Sequence, residues 1–339
     1  MEKIINGKTY YIPNNLTIEQ ERIYCHIIDW KREHLTTERG TYKGNEYDAL
    51  FPTETEIPTM LYPAVVEQWK DMQNGPFGYK FHKFANHAVS SQTACVNLFL
   101  PLLLSDKIDE ILPNIPGCPS NLKRIARDKL YHGFCFEYWG QDILQGKGML
   151  KDHSAQAGTD ADVAIAYYDA NNQLCVWLIE HKLSEKEFTK CGGYDSKAND
   201  HKEDCKACSM SIISANPSLC HYTSIGYNYW EIFNSEKNRF NEQVCVSGCP
   251  FREGLNQLWR NQLLGFALKN NGYHTATFSV CHHAKNTMLN KSINLYKELV
   301  NNEKYLFNTF TNDDVMKAVK SEYSDLLQWK KWYLDLYCF

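Results

Sequence analysis

TDADVAIAYYDANNQLCVWLIEHKLSE, residues 159–185, decides how this chain folds. In LCVWLIEHK (174–182) both alternating faces are apolar. Leu174, Val176 and Leu178 lie on one side, and Cys175, Trp177 and Ile179 on the other. A strand apolar on both faces is covered on both sides and is therefore central in its sheet. DVAIAYY (162–168) alternates less strictly but is also apolar, and DANNQ (169–173) between them is turn-forming. The two segments read as an antiparallel hairpin. Pairing Tyr168 with Leu174 sets Ala166 against Val176, Ala164 against Leu178 and Asp162 against Glu180, with Asp160 facing Lys182. Opposed Cβ atoms are then ~5 Å apart.

Two carboxylates facing each other at the end of a buried strand repel unless a positive charge neutralises them. A hard divalent cation does this, and Mg²⁺ favours carboxylate oxygens and water. Lys182 adds a fixed ammonium on the face of Glu180, since side chains alternate along a strand. Two metal-binding carboxylates and an ammonium can together activate water and stabilise charge on a phosphodiester under attack. The plain alternative is a strand end that reaches solvent, where Asp, Glu and Lys are common.

The rest of the chain supplies context. Its 339 residues are 43% apolar and 22% charged, with a net charge of −4. These values suit a soluble globular protein and give no global basic field for nucleic acid, although a local basic groove remains compatible with them. The longest apolar run, VNLFLPLLL (96–104), is well short of the ~20 residues of a membrane-spanning helix. MEKIINGKTYY (1–11) lacks the apolar core of a secretory leader. With thirteen cysteines in a long chain, the expectation is a cytoplasmic protein with reduced thiols, some of them metal ligands.

Helical periodicity or capping predicts helices over 17–35, with Thr17 as N-cap, over 90–106, interrupted near Pro101, over 119–130, and over 252–271. GFCFEYWG (133–140) and YHTATFSVCHH (273–283) read as strands, and the chain from Asn312 onward reads as helix. The expected architecture is mixed α/β: residues 1–85 as a helical N-terminal extension, 86–290 as the core with a cysteine-rich insertion at 183–250, and 291–339 as C-terminal helices.

Asp162, a hairpin, and then Glu180-His181-Lys182 match the D…E-x-K signature of the PD-(D/E)-x-K nucleases, the restriction-endonuclease-like superfamily. The segments SSQTACVNLF (90–99), TDADVAIAY (159–167), LIEHKLSE (178–185) and QLWRNQLL (257–264) resemble those of a bacterial subgroup within it. The resemblance covers about residues 85–290. The residue before Asp162 is Ala161, where the family name has proline.

The resemblance implies a core of helix, three-stranded antiparallel meander, helix and strand, and a Mg²⁺- or Mn²⁺-dependent DNA endonuclease active in restriction, phage defence or repair. Asp162, Glu180 and the main-chain carbonyl of His181 would hold the metal, and Lys182 would position the attacking water. Asp160 ranks second. Gln257, Arg260, Asn261 and Gln262 on the later helix would contact the phosphate or orient Lys182. Glu137, Ser91 and Gln92 are weaker candidates, the serine reading equally as a cap. The resemblance also allows a homodimer that cuts both strands.

Cys205-Lys-Ala-Cys208 has the C-x-x-C spacing that lets two thiolates share a soft metal ion. Cys191, Cys205, Cys208 and Cys220 are the expected Zn²⁺ ligands, with Cys245 and Cys249 as replacements and His201 and His221 at hand. An iron–sulfur cluster is the rival reading, and unligated thiols the third. The alternative function is a non-catalytic nucleic-acid-binding or scaffold protein of the same fold with a structural zinc site. His282 and His283 are expected at the surface.

Overall fold

A computed structural model describes residues 2–339 apart from 54, 80, 83 and 155–157. The N-terminal part contains β1 (Glu2–Ile5), β2 (Lys8–Tyr11), α1 (Ile18–His34), β3 (Gly40–Tyr42), β4 (Asn45–Tyr47) and α2 (Val66–Asn74). Next come α3 (Ser91–Leu103), α4 (Ile108–Ile111), β5 (Arg124–Ile125), β6 (Phe134–Tyr138), β7 (Ala161–Tyr168) and β8 (Leu174–Lys182). The insertion holds five short helices, α5 (Gly192–Asp195), α6 (Lys202–Ala207), α7 (Met210–Ala215), α8 (His221–Ser224) and α9 (Tyr229–Ser235). The chain closes with α10 (Asn256–Asn270), β9 (Ala276–His282), α11 (Asn290–Leu299), β10 (Phe307–Thr311), α12 (Asn312–Ala318) and α13 (Leu327–Tyr337).

The hairpin takes the register expected from its sequence: Tyr168 faces Leu174, Ala166 faces Val176 and Ala164 faces Leu178. β8 is central. It pairs antiparallel with β7 and parallel with β9, and β10 adds a further parallel strand beyond β9. β6 pairs antiparallel with the other edge of β7, as β5 does further along. The fold is therefore mixed α/β around one mixed sheet.

Each sheet face has its own core. Val163, Ile165, Trp177 and Ile179 pack with α1, α3 and α13. Ala164, Ala166, Val176 and Leu178 pack with α10, α11 and the insertion helices. The N-terminal part, α12 and α13 are thus built onto one face, and the insertion, α10 and α11 onto the other. The 1–85 segment, expected to be helical, also carries two short hairpins, and the C-terminal segment contributes β10 to the sheet.

Three local expectations needed correction. The stretch 119–130 is not helical, because Arg124 and Ile125 pair with Tyr168 and Tyr167. The Asp109 carboxylate also accepts the Ile125 amide at 2.6 Å, so tertiary pairing overrides the local pattern. Pro101 does not interrupt α3, which continues to Leu103. Proline leaves the carbonyl four residues back without its helical donor, and here the Trp329 indole N–H of α13 donates to Asn97 O at 2.7 Å. His283 is buried rather than at the surface, its Nε2 2.6 Å from Tyr337 O.

Among the described residues no helix is long and apolar enough to cross a membrane. Trp177 is fully buried and its indole donates to Ser279 Oγ of β9 at 2.9 Å. Trp177→Ala is expected to lower stability by about 3–5 kcal/mol in urea denaturation. Ile4→Ala, at a side chain 74% exposed, is expected to change it by less than about 0.5 kcal/mol.

Candidate active site

The strands β6, β7 and β8 end at one level. Continuing their registers past Phe136–Val163 and Val163–Ile179 sets Glu137, Asp162 and Glu180 in one row across the sheet. The Asp162 carboxylate Oδ2 accepts the His181 amide at 2.6 Å, which ties β7 to the last residues of β8.

Glu180 is 3% exposed and fully partnered. Its Oε1 accepts from Gln257 Nε2 at 2.6 Å and from Lys182 Nζ at 2.8 Å. Its Oε2 accepts from Asn261 Nδ2 at 2.6 Å. Gln257 and Asn261 are four residues apart on α10 and therefore share a helix face. The side-chain oxygen Oε1 of Gln257 is itself fixed by the Thr189 main-chain amide at 3.1 Å. Burial works against the charge of Lys182, yet Glu180, Glu185 and Asp162 outweigh it and hold the ammonium protonated.

Glu137 departs from ordinary strand geometry. Its φ is +49°, a left-handed conformation that is strained for a residue with this side chain. The strand's alternation breaks there: Phe134 and Phe136 face one core, and Cys135 and Tyr138 the other. The Glu137 carboxylate accepts from Gln92 Nε2, in the first turn of α3, at 2.7 Å. Burial and the neighbouring Asp160 push this carboxyl up from 4.5 to about 8. Burial and Glu180 push Asp160 up to about 6, opposed by Arg260. Asp162 is raised by burial and by Glu180 and Glu137, against Lys182 and the His181 amide. Mutually raised acids mean that negative charge is crowded here beyond what Lys182 and Arg260 offset.

The helix on the opposite face reaches the same strand ends. Ser90 caps α3, accepting the Thr93 amide. Ser91 Oγ instead lies 3.2 Å from the main-chain carbonyl of His181 and 3.3 Å from its Nδ1. Burial lowers His181 to about 4.

Arg260 lies beside Tyr229, Tyr222 and Asp152 and within reach of Asp160, and its buried Nε has no hydrogen-bond partner. Asp152 accepts from Tyr229 OH at 2.6 Å and from Thr159. This buried network carried no sequence signal, since its members are scattered and belong to no motif. Gln262 is fully buried with both amide atoms unpartnered, apart from the Glu180 cluster.

In the insertion all the cysteines are unpaired. Cys249 N–H donates to Cys205 O at 2.9 Å, and Cys191 N–H to Arg252 O at 3.1 Å. The Cys205 thiol is raised to about 11 by burial and by Cys220 and Cys191. Cys249 is raised by burial and by the same neighbours with Cys205. Cys191, Cys205, Cys220 and Cys249 thus lie within electrostatic reach of one another. Among the described residues no three His, Cys, Asp or Glu side chains are arranged to hold a metal ion.

A mixed α/β sheet with acids and a paired lysine at the ends of its central strands is compatible with the restriction-endonuclease-like class. A family model described as Restriction Endonuclease associating with ARP matches residues 26–338, and the chain belongs to that family. No curated protein and no solved structure matches it.

The raised carboxyls give a pH test. Glu137 keeps its proton in the folded protein to about pH 8, whereas the unfolded chain releases it near 4.5. Stability from this group is therefore full below 4.5 and is lost as pH rises toward 8. Asp160 and Asp162 act in the same direction. His181 acts oppositely, but only below its ordinary 6.5. In EDTA, urea denaturation is expected to show stability falling between pH 6.5 and 8, and Glu137→Gln to flatten that fall.

Proposed function

We infer that this protein is a nuclease that hydrolyses DNA phosphodiester bonds with a divalent ion, Mg²⁺ or Mn²⁺, and works in restriction, phage defence or repair. The supporting observation is the meeting of Asp162 and Glu180 from adjacent strands, with Lys182 paired to Glu180 at 2.8 Å. Family membership points to a nuclease in the same way. On this reading α3, β6, β7, β8, α10 and β9 make up the nuclease core.

The donor set suits a hard cation: crowded carboxylates, raised by one another and short of positive charge. Asp162 and Glu180 would hold the ion with the His181 carbonyl, and such an ion supplies Lewis acidity and an acidified water. The chain's own groups do the rest. Gln257 and Asn261 fix the Glu180 carboxylate in one orientation. Lys182 brings an ammonium to the attacked phosphate and to the water beside it. Ser91 orients the His181 carbonyl. Asp160 raises the negative potential that draws the cation in, and Glu137 joins it once a bound cation lowers its carboxyl.

The test is nicking of supercoiled plasmid with Mg²⁺ or Mn²⁺ against EDTA. Wild type is expected to nick only with the metal. Asp162→Asn and Lys182→Ala are expected to lose at least ~10²-fold in rate. Cleavage by both variants at the wild-type rate, or none by any protein at high concentration, overturns the reading.

A further inference from the structure

α2 and the segment after it form a second built site. VEQWKDMQN (66–74) buries Trp69 and Met72. Gly78 folds the chain back so closely that a Cβ there would stand 2.3 Å from Gln73 O. This return brings Phe81 onto Trp69, with ring centroids 5.1 Å apart and planes 22° from parallel. The two rings, with Ile57, Gln73 and Asn74, line a cavity of about 550 Å³, within the range of small-ligand sites.

The cavity region holds unmet hydrogen bonds. Gln73 Nε2 and, close by in the same helix, Gln68 Oε1 are buried without partners. The Trp69 indole is directed toward the Tyr79 hydroxyl, so these two groups face each other. Buried polar atoms of native proteins are nearly all satisfied, so an unpartnered amide on a cavity wall suits a polar ligand group there. Aromatic faces beside an unpartnered amide suit a flat, polar-edged ring, as in nucleobase pockets.

The cavity wall is also joined to the carboxylate row. His82, next to Phe81, donates its amide to Gln92 Oε1 at 3.0 Å, and the same Gln92 donates to Glu137 at 2.7 Å. Tyr79 lies against Phe136, the residue before Glu137, with ring centroids 6.1 Å apart.

We propose that this cavity receives a nucleobase of the strand being cut, stacked on Trp69 and Phe81 and read by the Gln73 amide. The proposal rests on the nuclease reading for its substrate, but its test needs no cleavage. Oligonucleotides carrying 5-iodouracil are irradiated with the protein in EDTA, and the crosslinked peptide is mapped by mass spectrometry. 5-Iodo-deoxyuridine monophosphate is run alongside. Crosslinks at Trp69 or Phe81 from the oligonucleotide are expected, with binding weakened about tenfold or more by Trp69→Ala and by Gln73→Ala and retained by Trp69→Phe.

Thermal melting of each variant separates lost contact from lost fold, since Gln73→Ala is expected to melt as wild type. Crosslinks that map elsewhere, or unchanged binding in Gln73→Ala and Trp69→Ala, overturn the proposal. Crosslinking by the free nucleotide alone overturns its assignment to the substrate strand. A protein that cuts DNA but fails this test loses the base site only. One that crosslinks at Trp69 yet cuts nothing loses the nuclease reading only.

Discussion

The Glu180 carboxylate is the constraint on which this molecule turns. A charge taken out of water must be met by donors or it destabilises the fold by several kcal/mol. Glu180 is met by Gln257, Asn261 and Lys182. Those three donors dictate where α10 begins over the sheet, since two of them lie in its first two turns. They also couple the insertion to the site, because Thr189 at its start holds the Gln257 side-chain oxygen. A central strand with an apolar end would leave α10 free to slide. This one is locked in register by hydrogen bonds.

The opposite face is latched to the same strand ends by different means. Ser91 and Gln92, in the first turn of α3, reach His181 and Glu137. α1 contributes Gln20, whose amide donates to Ser184 O at 2.8 Å just beyond β8. Asn286 donates to Glu185 O at 2.9 Å from the turn after β9. Helices on both faces and the next crossover thus converge on residues 180–185. The polar contacts gather there because the flanking cores, though large, are non-directional, and only hydrogen bonds fix orientation to a few tenths of an ångström.

The hairpin was legible because an apolar run on each side of a turn-forming pentapeptide leaves few registers that bury every large side chain. Asp162 and Glu180 followed from that register, and Gln257 and Asn261 were visible as polar residues inside an apolar helix. Glu137 was visible only as an acid on a strand. Its left-handed φ and its partnership with Gln92 arise from packing between α3 and β6, which no local pattern encodes. The stretch 119–130 failed for a related reason, since its backbone answers to β7 rather than to its own periodicity. In the insertion, C-x-x-C spacing singled out Cys205, while the return of the chain that sets Cys249 against it is a tertiary feature without local pattern.

The acid row costs stability, a cost that the proposed chemistry would explain. Glu137, Asp160 and Asp162 are each raised by burial and by neighbouring carboxylates, Glu180 among them in every case, and a chain selected for stability alone would replace them with amides at little steric cost. Lys182 offsets only part of the charge, and its ammonium already lies on Glu180. The fold keeps the crowding in place with strong geometric devices: a strained backbone at Glu137, a main-chain amide at Asp162, and an amide pair at Glu180. On the proposed function, strain and like-charge repulsion held by rigid partners would serve a positive ligand. That ligand would relieve the repulsion on binding, so the folded state gains most from it where the carboxyls must ionise.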